Sequence, residues 1–394
     1  VDHIVSLEGA QIPKAWAYEQ ELAAAITTEP SRPQLNGEDA LCILYTSGTT
    51  GRPKGVYRKS QQLITPAALQ ANGHGPGKVN LCTGPAYHAA PLMFNVNLPL
   101  LAGAAIVLMD KWDPEETLRL IQDRGVTHTH MVATMFHRLL QLPEETRRAY
   151  DIGSMEYIVH GAAPCPVHVK HAMIEWFGPI VNEYYAATEG GGGFTIDSET
   201  WLKKPGSVGN TPNPEGTRLI DDDGNEVAQG ETGYIYFKAP DVGRFEYFKS
   251  PEKTGESYRG DWFTLGDMGY FDEDGFLFLN GRSAETIISG GVNIYPQEVD
   301  EALLSHEAVL DVCTVGVPNE EWGEEVKSVV QLAEGFSPSA ELGDAIIAHG
   351  RERLAAFKSP RSVDFVTELP RLPSGKIQRR LVRAPFWEGR DRQI

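Results

Sequence analysis

Short apolar runs alternate with segments of helical periodicity between residues 40 and 186. Alternation of this kind predicts an α/β fold with a doubly wound sheet. One intervening helix has clear boundaries, because Asp113 suits the N-cap, Pro114 the first position and Glu116 a capping box, while Gly125 ends the pattern. The runs that predict strands are ALCILY (40–45), VNLCT (79–83), AAIVLM (104–109), THTHMV (127–132), MEYIVH (155–160) and IVNEYYA (180–186).

After residue 200 the pattern changes to paired short strands separated by acidic turns that contain Asp-Gly. The segments are TRLIDDDGNEV (217–227), YIYFK (234–238) and MGYFDEDGFLFLNG (268–281). We expect a small antiparallel β-barrel region here. A calcium loop would place its first ligand at Leu219 or Tyr270, neither of which is acidic, so the acidic residues are better explained as turn formers.

From residue 283 onward the pattern predicts a small α+β module, with a helix that begins at Pro296 and has Val299 and Leu303 on one face. Its other predicted elements are strands near 309–317 and 326–332, a helix near 339–355 and a strand near 362–367. We therefore expect a large domain over residues 1–282 and a small domain over 283–394.

Composition narrows the class of partner. The 394 residues contain 35 Lys plus Arg and 54 Asp plus Glu, a net charge of −19, which disfavours nucleic-acid binding. No apolar run approaches the roughly 20 residues of a transmembrane helix, and the four scattered cysteines suggest a reduced, cytoplasmic protein. The start lacks a signal-peptide pattern, so nothing points to secretion. The chain begins with Val1 rather than Met, which suggests that an upstream segment is absent from it.

The segment LYTSGTTGRPKGV (44–56) combines glycines, hydroxyl side chains, Arg52 and Lys54 after an apolar run. Close backbone approach, hydroxyl donors and positive charge suit phosphate binding. The residues after Gly51 do not match the Walker A pattern, so this is a different phosphate loop. The alternative is an ordinary polar surface loop.

This loop resembles the phosphate loop of the adenylate-forming superfamily, which includes acyl- and aryl-CoA ligases, peptide-synthetase adenylation domains and luciferase. Further motifs resemble that family in the same order along the chain. They are GAAP (161–164), YYAATEG (184–190), TLGDMG (264–269), GRSAETIISGGVNIYPQEVD (281–300) and PRLPSGKIQRR (370–380). The resemblance implies a large AMP-binding domain and a small, mobile C-terminal domain.

The resemblance also implies a nucleotide site. Tyr185 would stack on adenine, Thr188 would lie near the α-phosphate, Glu189 would hold Mg2+, and Asp267 and Arg282 would contact the ribose, with Arg282 also near the α-phosphate. Each of three residues also has a purely structural alternative: Tyr185 as a core residue, Asp267 as a turn residue and Arg282 as a surface residue. Ala186 stands where the family often has glycine. The other nucleotide-binding residues implied are Thr46, Ser47, Gly48, Thr49, Thr50, Gly51, Lys54, Gly161, Ala162, Ala163 and Pro164.

Lys376 resembles the family's catalytic lysine, whose charge would stabilise the transition state of adenylation; the alternative is a solvated lysine. The hinge position is Ala284, where the family usually has aspartate or lysine. Ser289, Gly290 and Gly291 resemble the segment that lines the pantetheine channel for coenzyme A, and Lys358 and Arg361 are further candidates for its phosphates.

The acyl pocket is expected around PAYHAAPLMF (85–94), which has no acidic residue to pair with a substrate ammonium and so favours a simple, apolar carboxylic acid. Candidate substrate-binding residues are His88, Met93, Phe94, Met135 and Gly190, for which structural packing is the alternative. His128 and His130 share a strand face, but no third ligand is near, so we expect no metal site there.

The expected function is an ATP-dependent acid:CoA ligase working through an acyl-adenylate with ATP, Mg2+ and coenzyme A, and a homodimer is a candidate assembly. An adenylating enzyme that transfers the acyl group to a carrier protein is the first alternative. The second is a non-catalytic nucleotide- or acyl-binding fragment, because residues 1–43 are much shorter than the family's usual segment before the phosphate loop.

Overall fold

The computed structural model describes residues 5–6, 16–28, 43–46, 54–58, 72–211, 213–241, 243–372 and 375–389. The predicted phosphate-loop residues Ser47, Gly48, Thr49, Thr50, Gly51 and Arg52 lie outside these ranges. The chain divides into residues 1–39 and residues 40–394. In the first unit the short strands Val5–Ser6 and Trp16–Ala17 pair in parallel, and helix Tyr18–Ala24 follows.

The second unit contains the predicted doubly wound sheet, here called the parallel sheet. All its strands are parallel except the edge strand Gly192–Ile196. A fully buried set of side chains, including Leu118, Phe136 and Met173, packs helices against it. Its strand order is Gly192–Ile196, Val181–Ala186, Tyr157–His160, His128–Met131, Val79–Cys82, Ala105–Leu108.

The helices that accompany this sheet follow from local signals. Helix Pro114–Arg124 has the predicted ends, because the Asp113 carboxylate accepts a hydrogen bond from the Glu116 amide at 2.9 Å and Gly125 is left-handed at φ 58°. The other helices of this region are Ala89–Pro91, Leu98–Leu101, Ala133–Leu140, Glu144–Ala149, Val167–Phe177 and Ser198–Trp201, with a π-helical segment at Leu92–Asn97.

The prediction that residues 40–45 begin the parallel sheet is wrong. Strand Ile43–Thr46 pairs antiparallel with Lys54–Arg58, which in turn pairs with Phe245–Tyr247 in a separate sheet. The physical reason is the short connection over residues 47–53, since a loop of that length joins antiparallel neighbours whereas parallel strands need a long crossover. Ile43–Thr46 and Lys54–Arg58 are therefore antiparallel neighbours, and most of the predicted phosphate loop falls between them in sequence.

The antiparallel region forms where it was predicted, but its described strands make an open sheet and not a closed barrel. Phe271 faces Leu277 across the predicted Asp-Gly hairpin. Thr217–Ile220 pairs along its length with Gly233–Lys238, whereas its own downstream segment is joined to it by the bridge between Ile220 and Glu226 and by the hydrogen bond from the Val227 amide to the Leu219 carbonyl at 3.1 Å. The strand order is Ser207–Gly209, Leu277–Arg282, Trp262–Phe271, Gly233–Lys238, Thr217–Ile220, with Tyr258–Arg259 also paired to Trp262–Phe271. A 3-10 turn at Pro214–Gly216 precedes Thr217, and helix Pro251–Ser257 precedes Tyr258.

The C-terminal module has its own sheet and core. Its first helix begins at Pro296 as predicted, and it buries Val299 and Leu303 against the sheet. The proposed domain boundary at residue 282 remains a prediction. The elements are strands Ile287–Ser289, Val292–Ile294, Val309–Asn319, Gly323–Leu332 and Ser362–Val366, helices Pro296–Leu304, Ala340–Arg351 and Arg379–Arg383, and 3-10 turns Ser283–Glu285 and Ala384–Trp387. No helix in the described part of the chain is both long and apolar enough to span a bilayer.

Candidate functional site

The carboxyl edge of the parallel sheet carries most of the predicted site. Five of its strands run in the same direction, and the segments that follow four of them leave from one edge, where open α/β sheets bind ligands. These segments contain His88, Val132, the GAAP motif and Thr188 to Gly190. Ala162 in GAAP is held at φ 64°, an uncommon conformation for a residue with a Cβ atom.

Asp267 joins two of the predicted nucleotide residues. The Tyr185 hydroxyl donates to Asp267 Oδ2 at 2.9 Å, and Arg282 Nε donates to Oδ1 at 3.1 Å. Asp267 and Arg282 are direct neighbours on adjacent antiparallel strands. Burial and the charge of Asp267 raise the pKa of Tyr185 well above its ordinary value. Two donors therefore orient the Asp267 carboxylate. A hydroxyl group of a ligand could bind it only by sharing an oxygen with one of these donors or by displacing it.

A second group of contacts surrounds Glu189. The Tyr247 hydroxyl donates to Glu189 Oε1 at 3.0 Å, and Lys54 Nζ lies 4.6 Å from the centre of the Tyr247 ring. Burial, together with the charge of Lys253, lowers the pKa of Lys54, whereas the charge of Glu189 opposes that shift. The predicted phosphate-loop lysine and the predicted magnesium ligand thus share Tyr247 as a neighbour.

Sequence reasoning missed Tyr247. No motif marks it, and its position depends on pairing with a strand nearly two hundred residues earlier, where Tyr247 faces Val56. The alternation of aromatic side chains in FEYF was the only local signal, and it indicates a strand without indicating its partner.

Lys376 belongs electrostatically to this site. Burial and the charge of Arg282 lower its pKa, while the carboxylates of Glu285, Asp267 and Glu189 oppose that shift. Cations from three distant parts of the chain, Lys54, Arg282 and Lys376, therefore interact electrostatically with Glu189, and Arg282 also contacts Asp267 directly.

Packing holds the Lys376 segment in place. Gly375 has φ 82°, and a Cβ atom there would meet Thr134 Oγ1 at 2.6 Å, which shows how closely the segment approaches helix Ala133–Leu140. Arg371 donates to the Gly375 carbonyl, and its guanidinium also forms hydrogen bonds with the Asp311 carboxylate at 2.6 to 2.9 Å. The contacts of Gly375 with Thr134 and with Arg371 therefore fix the position of the backbone next to Lys376.

The C-terminal module also contacts the large region through Glu301, whose Oε1 accepts a hydrogen bond from the Val167 amide at 2.9 Å. Val167 begins helix Val167–Phe177, and its N-cap residue, Pro166, offers no side-chain cap. The Glu301 carboxylate therefore accepts a hydrogen bond from a backbone amide at the N-terminus of this helix, where amides have no partner within the helix.

The candidate acyl residues have different environments. His88 is half-buried, its Nε2 has no hydrogen-bond partner within the described residues, and burial lowers its pKa. Met93 is 40% exposed, whereas Met135 is 8% exposed and belongs to the core beneath the parallel sheet. Packing therefore accounts for Met135, and its role as pocket lining remains a prediction.

The residues predicted to meet coenzyme A lie at the C-terminal sheet: Ser289 ends a strand, Gly290 and Gly291 follow it, and Lys358 and Arg361 precede another strand. A Cβ atom at Gly290 would meet the Trp322 ring at 2.7 Å, whereas Gly291 has open space around it. Lys358 is paired with Glu298 at 2.7 Å, and the Arg361 guanidinium lies 5.0 Å from the Trp322 ring. Ser289 is buried. The predicted hinge residue, Ala284, is exposed in the 3-10 turn Ser283–Glu285.

A buried charge cluster beneath GAAP was also missed. Lys170 Nζ lies 2.6 Å from Glu183 Oε2 and 4.7 Å from the Trp201 ring centre, and His160 Nε2 lies 3.5 Å from the same carboxylate oxygen. Glu183 precedes Tyr185 by two residues, and His160 directly precedes Gly161. The cluster therefore connects the strands that carry two of the nucleotide motifs.

Comparison with known proteins agrees with this arrangement. The AMP-binding enzyme family matches residues 1–245, and the AMP-binding enzyme C-terminal domain matches residues 298–376. The chain is 36% identical to a long-chain-fatty-acid–CoA ligase of Bacillus subtilis and 34% identical to a sulfoacetate–CoA ligase of Cupriavidus necator. The matches cover 88% and 86% of this chain but 62% and 65% of those relatives, so it spans less than two thirds of their length.

Among solved structures, the chain resembles o-succinylbenzoate CoA synthetase (MenE) from Bacillus subtilis in complex with the acyl-adenylate intermediate OSB-AMP. The TM-score is 0.77 at 29% identity, over 92% of this chain and 73% of that one. Both the family match and the fold therefore lead to one assignment. This chain belongs to the AMP-binding enzyme family.

Proposed function

We propose that the protein is an ATP-dependent acid:CoA ligase. In the first half-reaction a carboxylate oxygen attacks the α-phosphorus of ATP, which forms an acyl-adenylate and releases pyrophosphate. In the second, the thiol sulfur of coenzyme A attacks the acyl carbon, which forms the thioester and releases AMP and the thiol proton. The relatives are named for acids as different as a long-chain fatty acid and sulfoacetate, so family membership leaves the acid open.

The observation that carries this proposal is the electrostatic interaction of Lys54, Arg282 and Lys376 with Glu189, together with the direct contact between Arg282 and Asp267. A nucleoside triphosphate brings several negative charges, and its reaction with a carboxylate brings one more toward the same phosphorus. Preorganised cations stabilise that charge in the transition state, where the low local dielectric strengthens the interaction. The protein as a whole carries a net charge of −19, so such a local group of cations is required.

We assign nucleoside binding to Tyr185, Asp267 and the GAAP loop. The hydrogen bond of 2.9 Å to Asp267 fixes the orientation of the Tyr185 ring, which would offer a face to adenine. The Asp267 carboxylate can accept hydroxyl donors of a ribose in exchange for its present donors. Thr188 follows the same strand and would donate to the α-phosphate. Lys376 would neutralise the charge that develops on that phosphate.

Magnesium fits Glu189. A hard cation that bridges phosphates needs only one or two protein carboxylates, since phosphate and water oxygens complete its coordination. Glu189 supplies such a carboxylate, and its Oε1 is oriented by Tyr247. When bound, the ion would neutralise phosphate charge. No group of three or more His, Cys, Asp or Glu side chains suited to holding a metal by themselves occurs among the residues that the structure describes.

We further propose that residues 283–394 act as a small domain that turns about Ala284 between the half-reactions, which would bring Ser289 to Gly291 toward the pantetheine arm. The open space around Gly291 suits a thin chain. The close contact between Gly290 and Trp322 gives Gly290 a separate packing reason to lack a side chain.

Exchange of radiolabelled pyrophosphate into ATP tests the first half-reaction, because it requires a reversibly formed acyl-adenylate. The full chain is assayed with a panel of carboxylic acids, and thioester and AMP are then measured with free coenzyme A or with an acylatable carrier protein. Acid-dependent exchange together with thioester on free coenzyme A supports the proposal. Release of inorganic phosphate without exchange, or thioester on the carrier protein alone, would overturn it.

A further inference from the structure

Backbone hydrogen bonds connect the residues on either side of Lys376. The Leu372 amide donates to the Lys376 carbonyl at 2.9 Å, and the Gly375 amide donates to the Leu372 carbonyl at 2.8 Å. Arg371 and Ile377 form an antiparallel bridge. Gly375 has φ 82°, and glycine allows many backbone conformations. The position of Lys376 therefore depends on the groups that hold Gly375.

Arg371 holds Gly375 from within the C-terminal module. One Nη atom of Arg371 donates to the Gly375 carbonyl, while Nε and the other Nη atom donate to the Asp311 carboxylate at 2.6 to 2.9 Å. The two side chains are only 18% and 17% exposed, and forked hydrogen bonds between ions are strong and geometrically specific. Asp311 lies in strand Val309–Asn319, opposite Gln331 of the next strand. The guanidinium therefore connects the carbonyl next to Lys376 to the sheet of the module.

Helix Ala133–Leu140 of the large region contacts the same backbone. A Cβ atom at Gly375 would lie 2.6 Å from Thr134 Oγ1, so the helix and the lysine segment are in close contact. One helical turn later, His137 interacts with the charges of the ion pair between Arg371 and Asp311. Gly375 is therefore held by groups of both the C-terminal module and the large region.

The contacts of Arg371 suit it to fix a geometry and not to bind a phosphate. All three nitrogen atoms of its guanidinium already donate hydrogen bonds, and Asp311 balances its charge. Lys376 needs a fixed position, because a cation stabilises a transition state only when it is preorganised where the charge develops. A displacement of about 1 Å can cost about a hundredfold in rate.

We propose that Arg371 and Asp311 are positioning residues for the first half-reaction, in which they fix the Gly375 carbonyl so that Lys376 reaches the α-phosphate. This inference rests on the proposed function and extends the set of residues that serve it. The alternative is that the ion pair only stabilises the fold of the C-terminal module. A purely structural role would affect both half-reactions alike, whereas positioning of Lys376 affects the first.

The test compares the two half-reactions for the full chain as wild type, Arg371→Ala and Arg371→Lys. Acyl-adenylate formation is measured in a single turnover, with ATP radiolabelled at the α-phosphate and the acid of the panel that exchanges fastest. Thioester formation is measured from preformed acyl-adenylate and coenzyme A. Arg371→Ala should slow acyl-adenylate formation by about thirtyfold, because the carbonyl before Lys376 loses its donor. Half-saturating concentrations of ATP and acid, and the rate of thioester formation, should stay within about twofold.

Arg371→Lys keeps a positive charge but lacks the planar fork, so it should slow acyl-adenylate formation by about fivefold. Arg371→Ala should cause no further loss in the Lys376→Ala background, since both substitutions remove the same interaction. Lys327→Met is the matched control. Lys327 forms an ion pair with Asp364 at 2.6 Å in the same module, and its loss should leave both half-reactions unchanged.

Thermal unfolding establishes which variants are folded, and Arg371→Lys decides the question if Arg371→Ala is not. A loss confined to acyl-adenylate formation and absent in the Lys376→Ala background supports the inference. Equal losses in both half-reactions, an unchanged rate in a folded variant, or a further loss in the Lys376→Ala background would overturn it and leave the proposed function intact. The absence of acid-dependent exchange in the wild type would instead overturn the proposed function, and this inference with it.

Discussion

The buried pair of Lys170 and Glu183 yields a quantitative test of the folded core. Lys170 has 0% of its side chain exposed and Glu183 has 8%, and the Nζ and Oε2 atoms are 2.6 Å apart. Burial lowers the pKa of Lys170 and raises that of Glu183, and in each case the partner's charge opposes the shift. The short contact favours the charged forms of both side chains, because the attraction between the two ions offsets the cost of burying each of them.

Lys170→Met keeps most of the side-chain volume but leaves the Glu183 carboxylate buried without its cation. Removing one partner of a buried pair typically costs about 3–5 kcal/mol. Loss of the cation–π contact with Trp201, at 4.7 Å, adds about 0.5–2 kcal/mol. We therefore expect the free energy of unfolding at neutral pH to fall by about 4 kcal/mol or more. The variant Lys170→Met/Glu183→Met should recover most of this loss, since an apolar replacement removes both desolvated charges.

The measurement is urea unfolding followed by circular dichroism, with the m-value compared across variants so that the free energies share one reference. Lys78→Met is the control. Lys78 pairs with Glu156 at 2.5 Å, but these side chains are 33% and 48% exposed, so the expected loss is at most about 1 kcal/mol. The reasoning is refuted if Lys170→Met costs no more than Lys78→Met, or if the double variant is as unstable as Lys170→Met.

Three other predictions concern the site and its supports. Lys376→Ala should reduce pyrophosphate exchange by at least about a hundredfold while sparing thioester formation from preformed acyl-adenylate, and equal losses in both assays would contradict its assigned role. Glu301→Ala removes the acceptor for the Val167 amide and should reduce exchange by about tenfold, whereas Glu301→Gln keeps a carbonyl acceptor and should retain most activity; identical losses in both variants would exclude this positioning role. His130 has a folded pKa of about 3 against an ordinary 6.5, so as pH falls below 6.5 the unfolded chain gains a proton that the folded chain does not, and stability falls. His130→Phe should reduce the pH slope of unfolding free energy by up to about 1.4 kcal/mol per pH unit between roughly pH 4 and 6, and an unchanged slope would contradict the buried neutral state.

Much of the fold follows from local pattern. The strands at 79–82 and 157–160, and the helix between Asp113 and Gly125, form where the sequence predicts them. Their signals are complete within a few residues, because capping and periodicity depend on near neighbours. The strand at 43–46 has an equally apolar sequence, yet it pairs in a different sheet. An apolar run predicts burial of a strand, but it does not specify the partner strand.

The sequence predicted those site residues that lie within recognisable motifs. Asp267, Arg282 and Lys376 stand in separate motifs, and the structure brings Asp267 and Arg282 into contact and Lys376 within electrostatic range. Tyr247 and Lys170 stand in no motif. Their importance comes from contacts with Glu189 and Glu183, which long-range strand pairing and helix packing create.

The sequence by itself determined the identity of the elements, the order of the motifs and the chemistry available to each, because backbone propensity and side-chain functional groups are properties of short segments. Only the tertiary structure decided which groups meet: that Ile43–Thr46 pairs with Lys54–Arg58, that Tyr247 contacts both Lys54 and Glu189, and that the Tyr184 ring packs against Gly161. The physical reason is that burial and hydrogen bonding between distant segments depend on the packing of the whole chain, and no local pattern encodes those distances.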